Sequence, residues 1–268
     1  MTTTIPAAVT ASGARLRAEA IATRYGERTI SSELSVSIPD EGFTVIVGPN
    51  ACGKSTLLRA LSRVQAPAEG RVVIDGQDIA ALPSKEVARR LGLLPQTSLA
   101  PDGITVADLV ARGRFPHQRM LRRWSLADER AVADALDAAH VTELSGRLVD
   151  ELSGGQRQRV WVAMVLAQQT PLLLLDEPTT FLDIAHQIEL LNLFARLNRA
   201  GQTIVAVLHD LNHACRYATN LVVMKDGEIR AEGHPGDIMS PELVEEVFGL
   251  PCLLLDDPVT HTPLVIPR

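Results

Sequence analysis

Aromatic side chains are scarce: Phe, Tyr and Trp together number nine among 268 residues. Such scarcity argues against a surface built from base- or sugar-stacking platforms. Cysteine is scarcer still. Cys52, Cys215 and Cys252 lie far apart and lack C-x-x-C spacing, so neither a disulfide framework nor a zinc knuckle is supported, and a reducing compartment fits best. The longest apolar run, VWVAMVLA from Val160, falls far short of a membrane span. The first residues lack a basic stretch followed by an apolar one, so no secretory signal is expected. Lys and Arg number 26 against 32 Asp and Glu, a net charge of −6, which argues against a nucleic-acid-coating surface. A soluble chain is expected, touching a membrane only through a partner.

What is present suits a folded domain: 46% hydrophobic and 22% charged residues allow a sizeable core. Residues 1–14 are small and polar and are expected to form a flexible tail; 15–268 read as one α/β domain. Leu34, Val36 and Ile38 alternate with serines, as in a half-buried strand, and FTVIV after the Pro39–Gly42 turn reads as a fully buried one. RVVIDG and LGLLPQ read as strands separated by a helix that Ser84 could cap. A helical insertion over about residues 100–168 follows. LLLLDEP and TIVAVLHD return to short apolar strands ending in a carboxylate or histidine, LVVMKDGEIRAEG reads as a hairpin turning at Asp226-Gly227, and Ser240-Pro241 opens a helix.

Gly48 to Ser55 matches G-x-x-x-x-G-K-S/T, the P-loop, with a buried strand before it and a helix after. A triphosphate needs many donors in a small volume, which backbone N–H groups freed by glycine and a helix N-terminus supply. Lys54 is then expected against the β/γ-phosphates and the Ser55 hydroxyl on Mg²⁺. Asp176 and Glu177 stand at the carboxyl end of a predicted parallel strand, where ligands collect in α/β sheets. They fit a Mg²⁺ contact and a group that polarises water, although acids there could also cap the next helix. In LSGGQRQRV, Ser153 and Gln156 have capping-box spacing, and Gly154 and Gly155 leave the first-turn amides open to an anion, or the helix is simply capped.

These stretches together resemble the nucleotide-binding subunits of ABC transporters, over nearly the whole length. GPNACGKS is similar to Walker A, LLLLDE to Walker B and LSGGQ to the signature; Gln96 resembles the Q-loop residue, Leu182-Asp183 the D-loop, and His209 the switch histidine. Tyr25, in the turn before the first core strand, resembles the aromatic that stacks on adenine. The resemblance implies a P-loop NTPase core with a parallel sheet, an N-terminal antiparallel β subdomain and the helical insertion. It implies an ATPase in which Glu177 is the catalytic base and His209 and Gln96 complete the catalytic set. ATP would be held by Tyr25, Gly48, Pro49, Asn50, Ala51, Cys52, Gly53, Lys54, Ser55 and Thr56, and Mg²⁺ by Ser55, Gln96 and Asp176. Gly154, Gln156 and Asp183 would also bind the nucleotide, and in a head-to-tail homodimer Ser153 and Gly155 of one copy would contact ATP held by Lys54 of the other.

Two departures stand out. Ala51 occupies a position often glycine, which costs about 1–2 kcal/mol if the backbone is left-handed there. Phe181 replaces a small D-loop residue. Cys52, at a helix N-terminus, could be a reactive thiol or merely tolerated, and blocking it is expected to abolish ATP binding. His209 and His213 imitate a zinc motif but begin at a strand end and lack a third ligand. Arg112, Arg114, His117, Arg119, Arg122 and Arg123 form a basic cluster, either a solvated face or a contact with a membrane subunit or anionic lipid.

LVARGRFPHQ, VLHDLNHACRYA and the C-terminal stretch GLPCLLLDDPVTHTPLVIPR are similar to the ATPases of iron–siderophore importers, the ferric-enterobactin type in particular. That resemblance implies two transmembrane permease subunits, an extracytoplasmic siderophore-binding protein and a peripheral place on the cytoplasmic face of the cell membrane, without nucleic acid. Cobalamin and haem importers share the ATPase type. A soluble ABC ATPase of iron–sulfur assembly or DNA repair is the alternative, and the long-armed repair kind lacks support because no sustained heptad pattern occurs.

Overall fold

A computed structural model describes residues 14–26, 28–97, 99–118 and 124–268, with Tyr25 and Arg28 described by their backbone alone. The expected tail therefore lies, except for Ala14, outside the described residues. Ala14 already opens β1 (Ala14–Tyr25), which pairs antiparallel with β2 (Arg28–Pro39). The alternation in β2 buries Leu34, Val36 and Ile38. β3 (Phe43–Val47) is buried at every position and leads into α1 (Lys54–Leu61). β4 (Glu69–Ile74) returns to β1, and β5 (Gln77–Asp78) ends an antiparallel sheet of order β2-β1-β4-β5. In α2 (Ser84–Arg90), the cap position belongs to Pro83; Ser84, expected as the cap, is the first helical residue and its hydroxyl caps nothing.

After β6 (Leu91–Leu94) the chain leaves the sheet for a helical stretch. It comprises α3 (Val106–Ala111), a 3₁₀ turn (Arg112–His117), α4 (Leu126–Ala138), two shorter 3₁₀ turns and α5 (Gly154–Ala167). It rejoins the sheet at β7 (Leu172–Asp176), followed by α6 (Ile184–Arg199), β8 (Thr203–Val207), α7 (Leu211–Tyr217) and β9 (Asn220–Lys225). β10 (Glu228–Gly233) closes the hairpin at Asp226-Gly227, both with positive φ. Then come α8 (Pro235–Ile238), α9 (Pro241–Phe248) capped by Ser240, and a hairpin of β11 (Cys252–Asp256) and β12 (Pro263–Pro267).

The second sheet has the order β10-β9-β3-β8-β7-β6, parallel from β9 to β6 with β10 antiparallel at the edge. Each central strand serves two cores with alternate residues. Leu173, Leu175, Val45 and Val223 face a core shared with the helical stretch, whereas Leu172, Leu174, Ile46 and Val222 face one shared with α1 and the antiparallel sheet. Burial on both faces is what makes such strands read as unbroken apolar runs. Among the described residues no helix is long and apolar enough to cross a membrane.

The basic cluster divides. Arg112 is exposed, and Arg119, Arg122 and Arg123 lie outside the described residues. Arg114 is buried, at 5% exposure. Its Nε donates to Asp128 Oδ1 at 3.0 Å and its Nη1 to Ala167 O at 2.8 Å and Gln169 Oε1 at 3.0 Å, while the His117 ring bonds Gln168 O at 2.7 Å. These two members belong to neither a solvated face nor a membrane contact: they tie the 3₁₀ turn and α4 to the end of α5. The Ser125 hydroxyl, aided by Arg114, holds the Asp128 carboxyl below its ordinary range. Removing one partner of such a pair strands a buried charge, whereas replacing both does not. Asp128→Ala is expected to lower the unfolding free energy by about 3–5 kcal/mol, and the double variant Arg114→Met/Asp128→Leu by much less, measured by denaturant titration.

Candidate functional site

The parallel order puts the carboxyl ends of β3, β8 and β7 side by side. The segment after β3, residues Gly48–Gly53, wraps around its own lysine. Lys54 is 5% exposed, and its Nζ donates to Gly48 O and Pro49 O, both at 2.8 Å. No carboxylate pairs with it among the described residues. A buried ammonium answered by carbonyl dipoles, with Asp176 attracting it from nearby, leaves positive potential in the loop that suits an anion. Glycine is enforced by contact: a Cβ on Gly48 would stand 2.2 Å from Met224 O, and one on Gly53, at φ 105°, 2.9 Å from Ile30 Cγ2.

Asn50, Ala51, Gly53, Lys54, Ser55, Thr56, Gln96, Glu177 and His209 line one cleft with Ile30. Asp176, 2% exposed, lies behind it and accepts from Ser55 Oγ at 2.9 Å. Burial pushes the Asp176 carboxyl up, with the Ser55 bond opposing. Hard oxygens from Ser55, Gln96 and Asp176 beside an anion cradle suit a small divalent cation. Glu177 has a left-handed backbone, φ 53°, and its Oε1 meets His209 Nε2 at 2.7 Å. A carboxylate paired with an imidazole in a cleft can take and hand on a proton.

The remaining predicted residues lie outside that cleft. Ser153 caps α5, accepting from Gln156 N at 3.3 Å while Gln156 Oε1 accepts from Ser153 N at 3.1 Å. Gly154 and Gly155 are the first helical residues, and Cβ atoms there would contact Phe181 and Leu182 at 3.5 and 3.3 Å. Asp183 caps α6. The Tyr25 side chain lies outside the described residues; its backbone ends β1, ahead of β2, rather than directly preceding β3. Of the two readings of Cys52, the tolerated residue and not the reactive thiol fits: it is 4% exposed, and desolvation raises its thiol above the ordinary value despite Lys54 nearby. Among the described residues no group of His, Cys, Asp or Glu is arranged to hold a metal, and His213 contributes only its backbone N–H to Asp210.

The sequence profile of the ABC transporter family matches residues 31–180, over half of the chain. The chain belongs to the ABC transporter family. It is an ATPase of the ABC type. It is 56% identical over 260 residues to the ferric enterobactin transport ATP-binding protein FepC of Escherichia coli (strain K12), covering 97% of this chain and 96% of that one. Identity to the petrobactin import ATP-binding protein FpuD of Bacillus anthracis is 50%, over 91% and 90% of the two chains. Among solved structures, one described as of a metal-chelate-type ABC transporter, inward-facing, matches with a TM-score of 0.79 at 26% identity, covering 95% and 96%. A dimeric ATP-binding cassette in a post-hydrolysis state, bound to ADP and Pi, matches at 0.73 and 28% identity over 82% and 98%.

The sequence reading of this ABC ATPase missed Ile30. It reaches the cleft from the antiparallel sheet, where its carbonyl lies so close to Gly227 that a Cβ would stand 1.8 Å away; nothing local in the sequence marks it. The Ala51 departure is real strain, since its φ is 60°. A left-handed alanine costs about 1–2 kcal/mol, less what glycine adds to the unfolded chain's freedom. Ala51→Gly is therefore expected to raise the unfolding free energy by about 0.5–1 kcal/mol, measured by denaturant titration with nucleotide absent.

Proposed function

We propose that this chain is the ATP-hydrolysing subunit of an importer of ferric siderophores, working as a homodimer on two transmembrane permease subunits at the cytoplasmic face of the cell membrane. An extracytoplasmic binding protein delivers the chelate. The observation that carries the reading is 56% identity to a ferric enterobactin transport ATP-binding protein along 97% of the chain, joined to a cleft in which the buried Lys54 ammonium is hydrogen-bonded only to carbonyls among the described residues. Permease contact falls to the helical stretch, which presents Phe115, Trp124 and Leu126 as exposed apolar side chains.

In this reading the Gly48–Gly53 amides and Lys54 hold the β- and γ-phosphates of ATP. Glu177 accepts the proton of the attacking water, His209 orients Glu177 and meets the γ-phosphate, and Gln96 reports on the filled cleft. Ser55, Gln96 and Asp176 hold Mg²⁺, which when bound neutralises charge developing on the phosphate oxygens. Ser153 and Gly155 of one copy, at an open helix end, face the nucleotide held by Lys54 of the other, with Asp183 beside them. Closure is driven because ATP is bound more tightly by the closed pair than by the open one, and hydrolysis removes that difference.

Radio-iron uptake from several ferric siderophores by cells lacking this gene tests the reading, with cells re-supplied with wild type or Glu177→Gln. Uptake of at least one chelate should be lost and restored by wild type alone, and the purified variant should hydrolyse ATP about 10²–10⁴-fold more slowly while still binding it. Undiminished uptake of every chelate would remove siderophores as the cargo and leave the ATPase in place.

A further inference from the structure

The segment from Glu177 to Asp183 is held at both ends by a histidine. At one end Glu177 meets His209; at the other, Asp183 Oδ2 accepts from His186 Nδ1 at 2.8 Å while Oδ1 accepts from His186 N at 3.0 Å. A helix N-cap needs only the second of these bonds, one side-chain oxygen on a first-turn amide. The ring bond is an addition. Elsewhere in this chain the third helical residue, Asp128 or Gln156, reaches back to the backbone N–H of its cap. In α6 that position is a histidine, a donor, and it grips the cap's own carboxylate.

Spacing does not dictate this grip. Asp210 and His213 repeat the Asp-x-x-His pattern at the start of α7, and Asp210 accepts the His213 backbone N–H at 2.8 Å. Among the described residues the His213 ring makes no bond to Asp210. Nor is stability an adequate reason for the grip: the side chains of Asp183 and His186 are 66% and 38% exposed, and exposed pairs contribute little. What the ring bond does is remove rotation from a carboxylate that stands on an open surface beside Phe181 and Ile184, each 78% exposed. The rest of the segment is fixed too, since Gln187 Nε2 donates to Leu182 O at 2.9 Å and Gln158 Nε2 to Pro178 O at 3.0 Å.

We propose that His186 is a positioning residue for ATP hydrolysis: its ring fixes the Asp183 carboxylate in the orientation that a second copy of this chain meets when the dimer closes. The assignment rests on the proposed role of Asp183 at that interface. His186 itself lies outside the cleft that holds Lys54 and Glu177, so it acts on turnover and not on the capture of ATP by a single copy.

The test is a steady-state ATPase comparison of the full chain as wild type, His186→Ala, His186→Asn, Asp183→Ala and the double alanine variant, with thermal melting run alongside. Asparagine carries an N–H donor on Cγ where histidine carries Nδ1, so it can keep the bond without the ring. His186→Ala should lower kcat about tenfold or more with KM for ATP within about twofold, and His186→Asn should recover most of that loss. The double alanine variant should turn over no more slowly than Asp183→Ala, because two groups acting as a unit are not additive. Wild-type kcat in His186→Ala beside an impaired Asp183→Ala would overturn the inference alone. So would multiplying losses in the double variant, or an asparagine variant as slow as the alanine one at unchanged melting temperature. Wild-type kcat in Asp183→Ala would remove the role given to Asp183, and the inference with it.

Discussion

The structure turns on one buried cation. Lys54 sits at the start of α1 with its ammonium against two carbonyls of its own loop and without a carboxylate partner among the described residues. Two carbonyl dipoles hold the buried ammonium in place, with the Asp176 carboxylate attracting it from the end of β7, so the loop is shaped around a charge. That shape makes demands well beyond the loop. Gly48 must approach the carbonyl of Met224 at the end of β9, and Gly53 must pass Ile30 of the antiparallel sheet. β3 can deliver the loop there only because β8 and β9 flank it in parallel register. The same register carries Asp176 and His209 to the same edge, so the sheet order and the chemistry of the cleft have one cause.

The two cores divide the labour. The core under α1 and the antiparallel sheet fixes the cradle, and the core under the helical stretch fixes α5, whose capped N-terminus carries Ser153. Between α4 and α5 the apolar packing of Val132, Ala135 and Leu136 is supplemented by a polar tie. Arg114 reaches Asp128, Ala167 and Gln169 at once, a geometry that a fork of donors satisfies and a point-like ammonium does not. Such a tie is directional where apolar packing is not, and it fixes the angle of the 3₁₀ turn and α4 against the end of α5.

Much of this was legible in the sequence, for a physical reason: the cradle, the strand-end acids and the capped helix are each made by contiguous residues, so their spacing is their structure. The β2 alternation and the Asp226-Gly227 turn were legible on the same ground. Ile30 was not, because it meets the cleft across two sheets and no local pattern records that approach. Arg114 misled because charge in a sequence carries no depth, and only the fold places Asp128 and the end of α5 around it. For Cys52 the sequence left two readings open: a helix N-terminus lowers a thiol's pKa, but burial beneath Gly48 works against it and wins. In Leu172–Leu175 four identical residues hide a period of two that the structure resolves into two cores.

Left-handed non-glycine residues occur in several parts of the described chain, Glu33, Asp75 and His140 among them, and three lie at the cleft or close to it in sequence. Ala51, Glu177 and Phe181 are left-handed without being glycine, at φ 60°, 53° and 66°, each costing about 1–2 kcal/mol. Relaxing Glu177 to an ordinary conformation would swing its carboxylate away from His209, and relaxing Phe181 would shift a backbone so near Gly155 that a Cβ added there would stand 3.4 Å from the Phe181 carbonyl. Glu177 and Phe181 lie on one short segment that side chains of α5 and α6 tie down, Gln158 at Pro178 and Gln187 at Leu182. Strained backbone of this kind persists only where the surrounding structure holds it, and here the hydrogen bonds from Gln158 and Gln187 do so on either side of Phe181.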